Sequence, residues 1–139
     1  MAYVLDASIV ACWCFHDEDH PRADAALELL DNERAIVPLH WWFEVRNAVL
    51  LSERGGRITE QYTTHFLDHL ERFPIDIAAL PNPAPVLMLA RRHRLTFYDS
   101  AYLELALRER VTFATLDHAL AEAALAEGVE LVAAGSSML

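Results

Sequence analysis

The chain predicts an α/β fold: one domain with a short parallel sheet of about five strands and helices on both faces. Three observations carry this expectation. Short apolar runs alternate with longer segments whose apolar residues repeat at helical spacing. The boundaries carry start and stop residues, among them Pro38, Gly55-Gly56, Thr59, Asn82-Pro83 and Gly128. A chain of 139 residues, 54% of them apolar, suffices for one well-formed core.

Ala2 to Leu5 is a four-residue apolar run closed by Asp6, the first strand. Ser8 to about Phe15 opens a helix, and Pro21 to Asp31 is helical by the i,i+4 pairs Ala25/Leu29 and Ala26/Leu30. Ala35 to Val37 is a second strand, stopped by Pro38. Trp41 to Arg54 is the strongest amphipathic helix, ended by the two glycines. Thr59 is the expected N-cap of a helix to about Arg72. Ile75 to Ile77 is a third strand, and Asn82-Pro83 opens a helix to about His93. Asp99 to Arg110 is helical, with Tyr102, Leu103, Ala106 and Leu107 on one side. Val111 to Ala114 is a fourth strand, Asp117 to Glu127 a last helix, and Glu130 to Val132 a fifth strand. The domain spans residues 1–132, and the small-residue tail 133–139 is expected to fray.

Charge narrows the function. The net charge is −10, and all 11 basic residues are Arg. A protein that coats nucleic acid carries the opposite sign, so nucleic acid must be engaged locally or through metal ions. The absence of Lys removes P-loop phosphate binding and Schiff-base chemistry. Cys12 and Cys14 are too few for a disulfide framework and badly spaced to bridge each other. No signal peptide opens the chain and no apolar run is long enough to span a membrane, so a reduced cytoplasm is the expected setting.

In open α/β sheets, sites collect at the carboxyl ends of the strands. Asp6 follows the first strand there, and Asp117 follows the fourth through Thr115-Leu116. Asp99 heads a helix, and Glu44 borders the apolar stripe made by Trp41, Val45, Ala48 and Val49. Each acid has an ordinary alternative: a cap for Asp6, Asp99 or Asp117, a solvated edge for Glu44. Together they form a carboxylate cluster that repels itself unless a cation neutralises it. Oxygen ligands without His or Cys favour Mg²⁺ or Mn²⁺ over zinc.

Four blocks carry a resemblance. They are Val4-Leu5-Asp6-Ala7-Ser8, Phe43-Glu44-Val45-Arg46-Asn47, Tyr98-Asp99-Ser100-Ala101-Tyr102 with Leu105-Ala106, and Thr115-Leu116-Asp117-His118-Ala119-Leu120. In this order and spacing the sequence resembles the PIN-domain ribonucleases, specifically VapC-type toxins of bacterial toxin–antitoxin pairs. The resemblance runs from residue 2 to about residue 132. It implies a metal-dependent endoribonuclease that hydrolyses RNA phosphodiesters by metal-activated water, leaving 5′-phosphate and 3′-hydroxyl ends. Mg²⁺, with Mn²⁺ as a substitute, would be held by Asp6, Asp99 and Asp117 with Glu44 completing the set. Ser8, Asn47 and Thr115 would hydrogen-bond the carboxylates. The resemblance further implies a cognate antitoxin, a homodimer, and DNA contact only through the antitoxin. Trp42 is the expected antitoxin anchor, beside the hairpin of the Trp41–Arg54 and Thr59–Arg72 helices. The departures are Ser100, where the family often has Ala, and Arg46 before the Asn.

Two other readings stand beside it. A haloacid-dehalogenase-like phosphohydrolase also starts with Asp after its first strand, but needs a second Asp where Ser8 stands and a Lys. A non-catalytic PIN-like binding module would keep the fold with vestigial acids. Smaller signals carry less: Cys12-x-Cys14-x-His16 has no second ligand pair, and His65/His69 lack the Glu of a metalloprotease helix. His40, at the start of its helix, is expected near the site. Arg91, Arg92 and Arg94 fit either a helix C-terminus or phosphate steering.

Overall fold

The computed structural model describes residues 1–15 and 20–133. The elements run β1 (Ala2–Leu5), α1 (Ala7–Cys14), α2 (Pro21–Leu29), β2 (Arg34–Val37), α3 (Leu39–Arg54), α4 (Glu60–Leu70), β3 (Ile75–Ile77), α5 (Pro83–His93), α6 (Phe97–Glu109), β4 (Thr112–Ala114) and α7 (His118–Ala126). His16 of the Cys-x-Cys-x-His set and residues 134–139 of the tail lie outside the described residues.

The sheet is parallel throughout, in the order β3-β2-β1-β4. Val4 of β1 pairs with Ile36 on one side and Phe113 on the other. Consecutive strand residues face opposite sides, yet Tyr3, Val4 and Leu5 are all fully buried. Both faces of β1 are therefore covered, as a parallel sheet requires. The Tyr3 hydroxyl crosses one layer to donate to the Ala26 carbonyl at 2.6 Å.

The expected fifth strand needs correction. Glu130 to Val132 makes a single parallel bridge, Phe113 to Leu131, beyond β4. Two backbone hydrogen bonds hold it, from the Phe113 amide to Glu130 and from the Val132 amide to Phe113. The pairing stops after those two bonds, so Leu131 forms an isolated bridge and the segment adds no full strand to the sheet.

Helix starts differ from the sequence reading in two places that matter. α3 begins at Leu39, with Pro38 as its N-cap, and so takes in His40. α6 begins at Phe97, with Thr96 as its N-cap accepting from the Asp99 amide at 3.1 Å. Asp99 is thus inside the first turn and is not a cap. Thr59 and Asn82 cap as expected, accepting from the Tyr62 and Ala84 amides. Gly128 has φ +81° after α7, a conformation that side chains disfavour.

β1, β2 and β3 build the sheet outward in one direction, and β4 returns to the opposite side of β1. This reversal opens a crevice at the carboxyl ends of β1 and β4. No helix among the described residues is long and apolar enough to cross a membrane.

Candidate functional site

Asp6 leaves the end of β1 with its amide bonded to the Ala114 carbonyl of β4 at 2.9 Å. It occupies the N-cap position of α1, but its side chain makes no capping bond. Its Oδ2 instead accepts from the Ser8 and Thr115 hydroxyls, each at 2.7 Å. Both hydroxyls are in turn fixed by the loop after β4. Ser8 Oγ accepts from the Leu116 amide, and Thr115 Oγ1 from the Asp117 amide, each at 3.0 Å. The cap explanation of Asp6 therefore fails, and its carboxylate is oriented by Ser8 in the first turn of α1 and Thr115 just after β4.

Asp6 is only 6% exposed. Burial pushes its carboxyl up to about 6; the two hydroxyls oppose the rise, while the charges of Glu44 and Asp99 add to it. Asp99 is shifted in the same direction, by burial first and then by Asp117 and Glu44, with Thr96 and His40 opposing. These couplings link the four acids into one electrostatic unit. Asp117 is the most peripheral: it is exposed, and its Oδ1 caps α7 by accepting from the Leu120 amide at 2.9 Å. The cap reading of Asp117 is thus correct as far as it goes, and leaves Oδ2 uncommitted to that bond.

Glu44 comes from the first turns of α3. Its Oε1 accepts from the Tyr102 hydroxyl on α6 at 2.6 Å. His40 lies one turn earlier, with Nε2 at 3.8 Å from the same oxygen. Tyr102 is the site residue that sequence reasoning missed. The available signal was a tyrosine on the apolar stripe of its helix, because a buried phenol must find a hydrogen-bond partner. Asn47 is not brought into the cluster: it is exposed, and no hydrogen bond joins it to the four acids. On the outer face of α3, Trp42 is 41% exposed and the Arg46 guanidinium lies 4.0 Å over its ring, while Trp41 is buried as expected.

Among the described residues, no three His, Cys, Asp or Glu side chains are gathered closely enough to form a preassembled metal cluster. The donor set nevertheless fits a hard divalent cation. It is all carboxylate, the neighbouring charges push Asp6 and Asp99 upward, and no Arg pairs with any of the four among the described residues. Like charges that repel at rest are drawn together by a cation placed between them.

The signals set aside behave as ordinary structure. Cys12 and Cys14 are buried thiols outside any disulfide, and His65 and His69 lie on the exposed face of α4. Arg92 and His93 both bind Glu127, at 2.8 and 2.6 Å, whereas Arg91 and Arg94 are exposed.

Comparison with known proteins follows the same outline. Among solved structures, PAE2754 from Pyrobaculum aerophilum superimposes with a TM-score of 0.73 at 20% identity, over 95% of this chain and 90% of that one. VapC20 from Mycobacterium tuberculosis, a sarcin-ricin loop cleaving toxin, gives 0.63 at 13% identity, over 87% and 94%. VapBC2 from Rickettsia felis, bound to a DNA fragment from their promoter, gives 0.63 at 16%, over 94% and 97%. These likenesses establish a shared fold. Curated proteins yield no match. The PIN domain family matches residues 3–126, nearly the whole of the described sheet and its helices, and the chain belongs to that family.

Proposed function

We propose that the protein is a metal-dependent endoribonuclease toxin of the VapC type. The observation that carries this reading is the uncompensated acidic centre: buried Asp6 coupled to Glu44 and Asp99, and Asp99 coupled to Asp117. Membership of the PIN family supports it, since these domains are generally nucleases. VapC20 and VapBC2, which share the fold, support the toxin reading.

Asp6, Asp99 and Asp117 would hold Mg²⁺ or Mn²⁺, with Glu44 completing the set. When bound, the ion supplies Lewis-acid charge that lowers the pKa of a water and offsets charge on the scissile phosphate. The protein's own part is orientation. Ser8 and Thr115 hold one Asp6 oxygen and leave Oδ1 free of those bonds. The loop amides of Leu116 and Asp117 fix the two hydroxyls, so carboxylate orientation is set by backbone in the loop after β4.

A small antitoxin is the proposed partner, docking on the α3–α4 hairpin. Trp42 and neighbouring Phe43, 62% exposed, supply the apolar anchors there. A second copy of the chain is proposed to bind through other helices.

The deciding experiment is cleavage of an RNA mixture by wild type and Asp99→Asn, with Mg²⁺, with Mn²⁺ and after chelation. Cleavage by wild type alone, silenced by chelation, is the expected result. Equal activity of the variant, or activity that survives chelation, excludes this metal site. Mn²⁺ binding without cleavage of any RNA would favour the non-catalytic binding module.

A further inference from the structure

Glu44 is held unusually for a carboxylate in an acidic centre. Its Oε1 accepts a 2.6 Å hydrogen bond from the Tyr102 hydroxyl, and His40 Nε2 lies 3.8 Å from that same oxygen. His40 Nε2 is buried and has no hydrogen-bond partner, a rare and costly state for a ring nitrogen. The imidazole is not free to turn away in search of one. It sits between the rings of Tyr98 and Tyr102, at centroid distances of 5.4 and 5.1 Å. A movement of the Glu44 carboxylate by roughly 1 Å would bring it within hydrogen-bonding reach of that nitrogen.

We infer that Tyr102 and, once the carboxylate shifts toward it, His40 clamp Glu44 Oε1 with two donors, which leaves Oε2 presented to a divalent cation. Both are positioning residues, and the inference rests on the reading of Glu44 as a metal-holding residue. One carboxylate oxygen has lone pairs enough for two donors. The imidazole takes part in the tautomer that carries its proton on Nε2. Packing alone does not account for the hydroxyl of Tyr102: its ring is fully buried and lies against Phe113, where a phenyl would serve as well. The i,i+4 spacing of His40 and Glu44 keeps the second donor on the same helix face as the carboxylate. Partners that orient a ligating carboxylate typically change metal affinity 10- to 100-fold.

The test is Mn²⁺ titration calorimetry on the full chain, with thermal unfolding of the metal-free protein as the folding control. Tyr102→Phe and His40→Phe each keep a ring in place and remove a donor. Each is expected to weaken Mn²⁺ binding roughly tenfold or more while remaining folded. His40→Gln, which restores an N–H donor at similar reach, is expected to recover most of the loss. Wild-type affinity in both Phe variants overturns the clamp, and so does a loss that His40→Gln fails to repair. If Tyr102→Phe does not fold, the His40→Phe and His40→Gln pair decides alone. Absence of Mn²⁺ binding by wild type would instead remove the metal reading beneath the clamp.

Discussion

The carboxylates at the carboxyl end of the sheet and those elsewhere on the molecule live under opposite rules. Away from the crevice, several acids are answered by cations. Arg34 binds Asp76 through two 2.7 Å hydrogen bonds, Arg108 binds the buried Glu104, and Arg92 and His93 share Glu127. Asp76 and Glu127 are correspondingly held below the usual carboxylate range, each chiefly by a hydrogen bond from its partner. At the crevice, Asp6 and Asp99 are displaced upward, and their hydrogen-bonding help comes from hydroxyls. A chain with 11 arginines has guanidinium to spare, so its absence from the centre follows from placement. Such a site holds unfavourable charge at rest, which is the ordinary cost of a centre built for a cation.

The comparison breaks most visibly at Asp6. Asp6→Asn should abolish metal-dependent cleavage yet make the metal-free protein more stable at pH 7, by about 2 kcal/mol. The sign follows from the raised folded pKa. The folded state holds its proton more tightly than the unfolded chain, so stability is lost as pH rises from the unfolded value of 3.8 through about 6. The advantage of the variant should therefore be present at pH 7 and vanish near pH 4. Denaturant melts of both proteins at the two pH values check this, and a variant less stable at pH 7 would contradict the uncompensated centre.

Next in size is Thr115→Val, which removes one hydroxyl from the buried Asp6 oxygen and keeps the shape of a side chain only 2% exposed. Loss of a hydrogen bond to a charged group should cost about 1.5–3 kcal/mol at pH 7. The penalty should shrink in an Asp6→Asn background, measured as a double-mutant cycle by chemical denaturation. Additive losses would show that Thr115 acts on the backbone of the loop and not through the carboxylate.

Outside the crevice the same logic gives smaller effects. Glu127→Gln weakens the tie from α5 to the end of α7, with an expected cost of about 1 kcal/mol at pH 7. Its folded pKa is depressed, so this contribution is present above the unfolded value of 4.5 and is lost as pH falls through the folded one. Thermal melts of the variant and wild type should converge in acid. Smallest is Asp76→Asn, in an ion pair more than half exposed on both sides. It should barely change stability and leave cleavage untouched, with any effect fading in high salt. A large effect on cleavage would tie the outer edge of the sheet to the site.

Much of this organisation was legible along the chain, and its omissions have physical causes. Strand and helix order could be read because apolar period and capping residues act locally: Thr59, Asn82 and the Gly55-Gly56 stop all act within a turn of their own positions. The helices start at Leu39 and Phe97, two residues before the apolar pattern indicates, because Thr96 caps from outside that pattern and Pro38 precedes α3 without a side-chain cap to mark its start. The segment Glu130–Val132 reduces to one bridge because edge pairing is made by hydrogen bonds from another strand, which the segment itself does not contain.

The four acids could be named from sequence because position after a strand or in a helix turn is a local property. What each one does there is not. Asp6 and Asp117 occupy equivalent N-cap positions, yet only Asp117 makes the capping bond, because Ser8 and Thr115 reach Asp6 first. Asn47 stands one turn from Glu44 and takes no part, while Tyr102, 58 residues away, holds it. Periodicity and spacing record which face a side chain takes. Partnership across elements is decided by packing, where burial sets the strength of every charge and only the nearest donor counts.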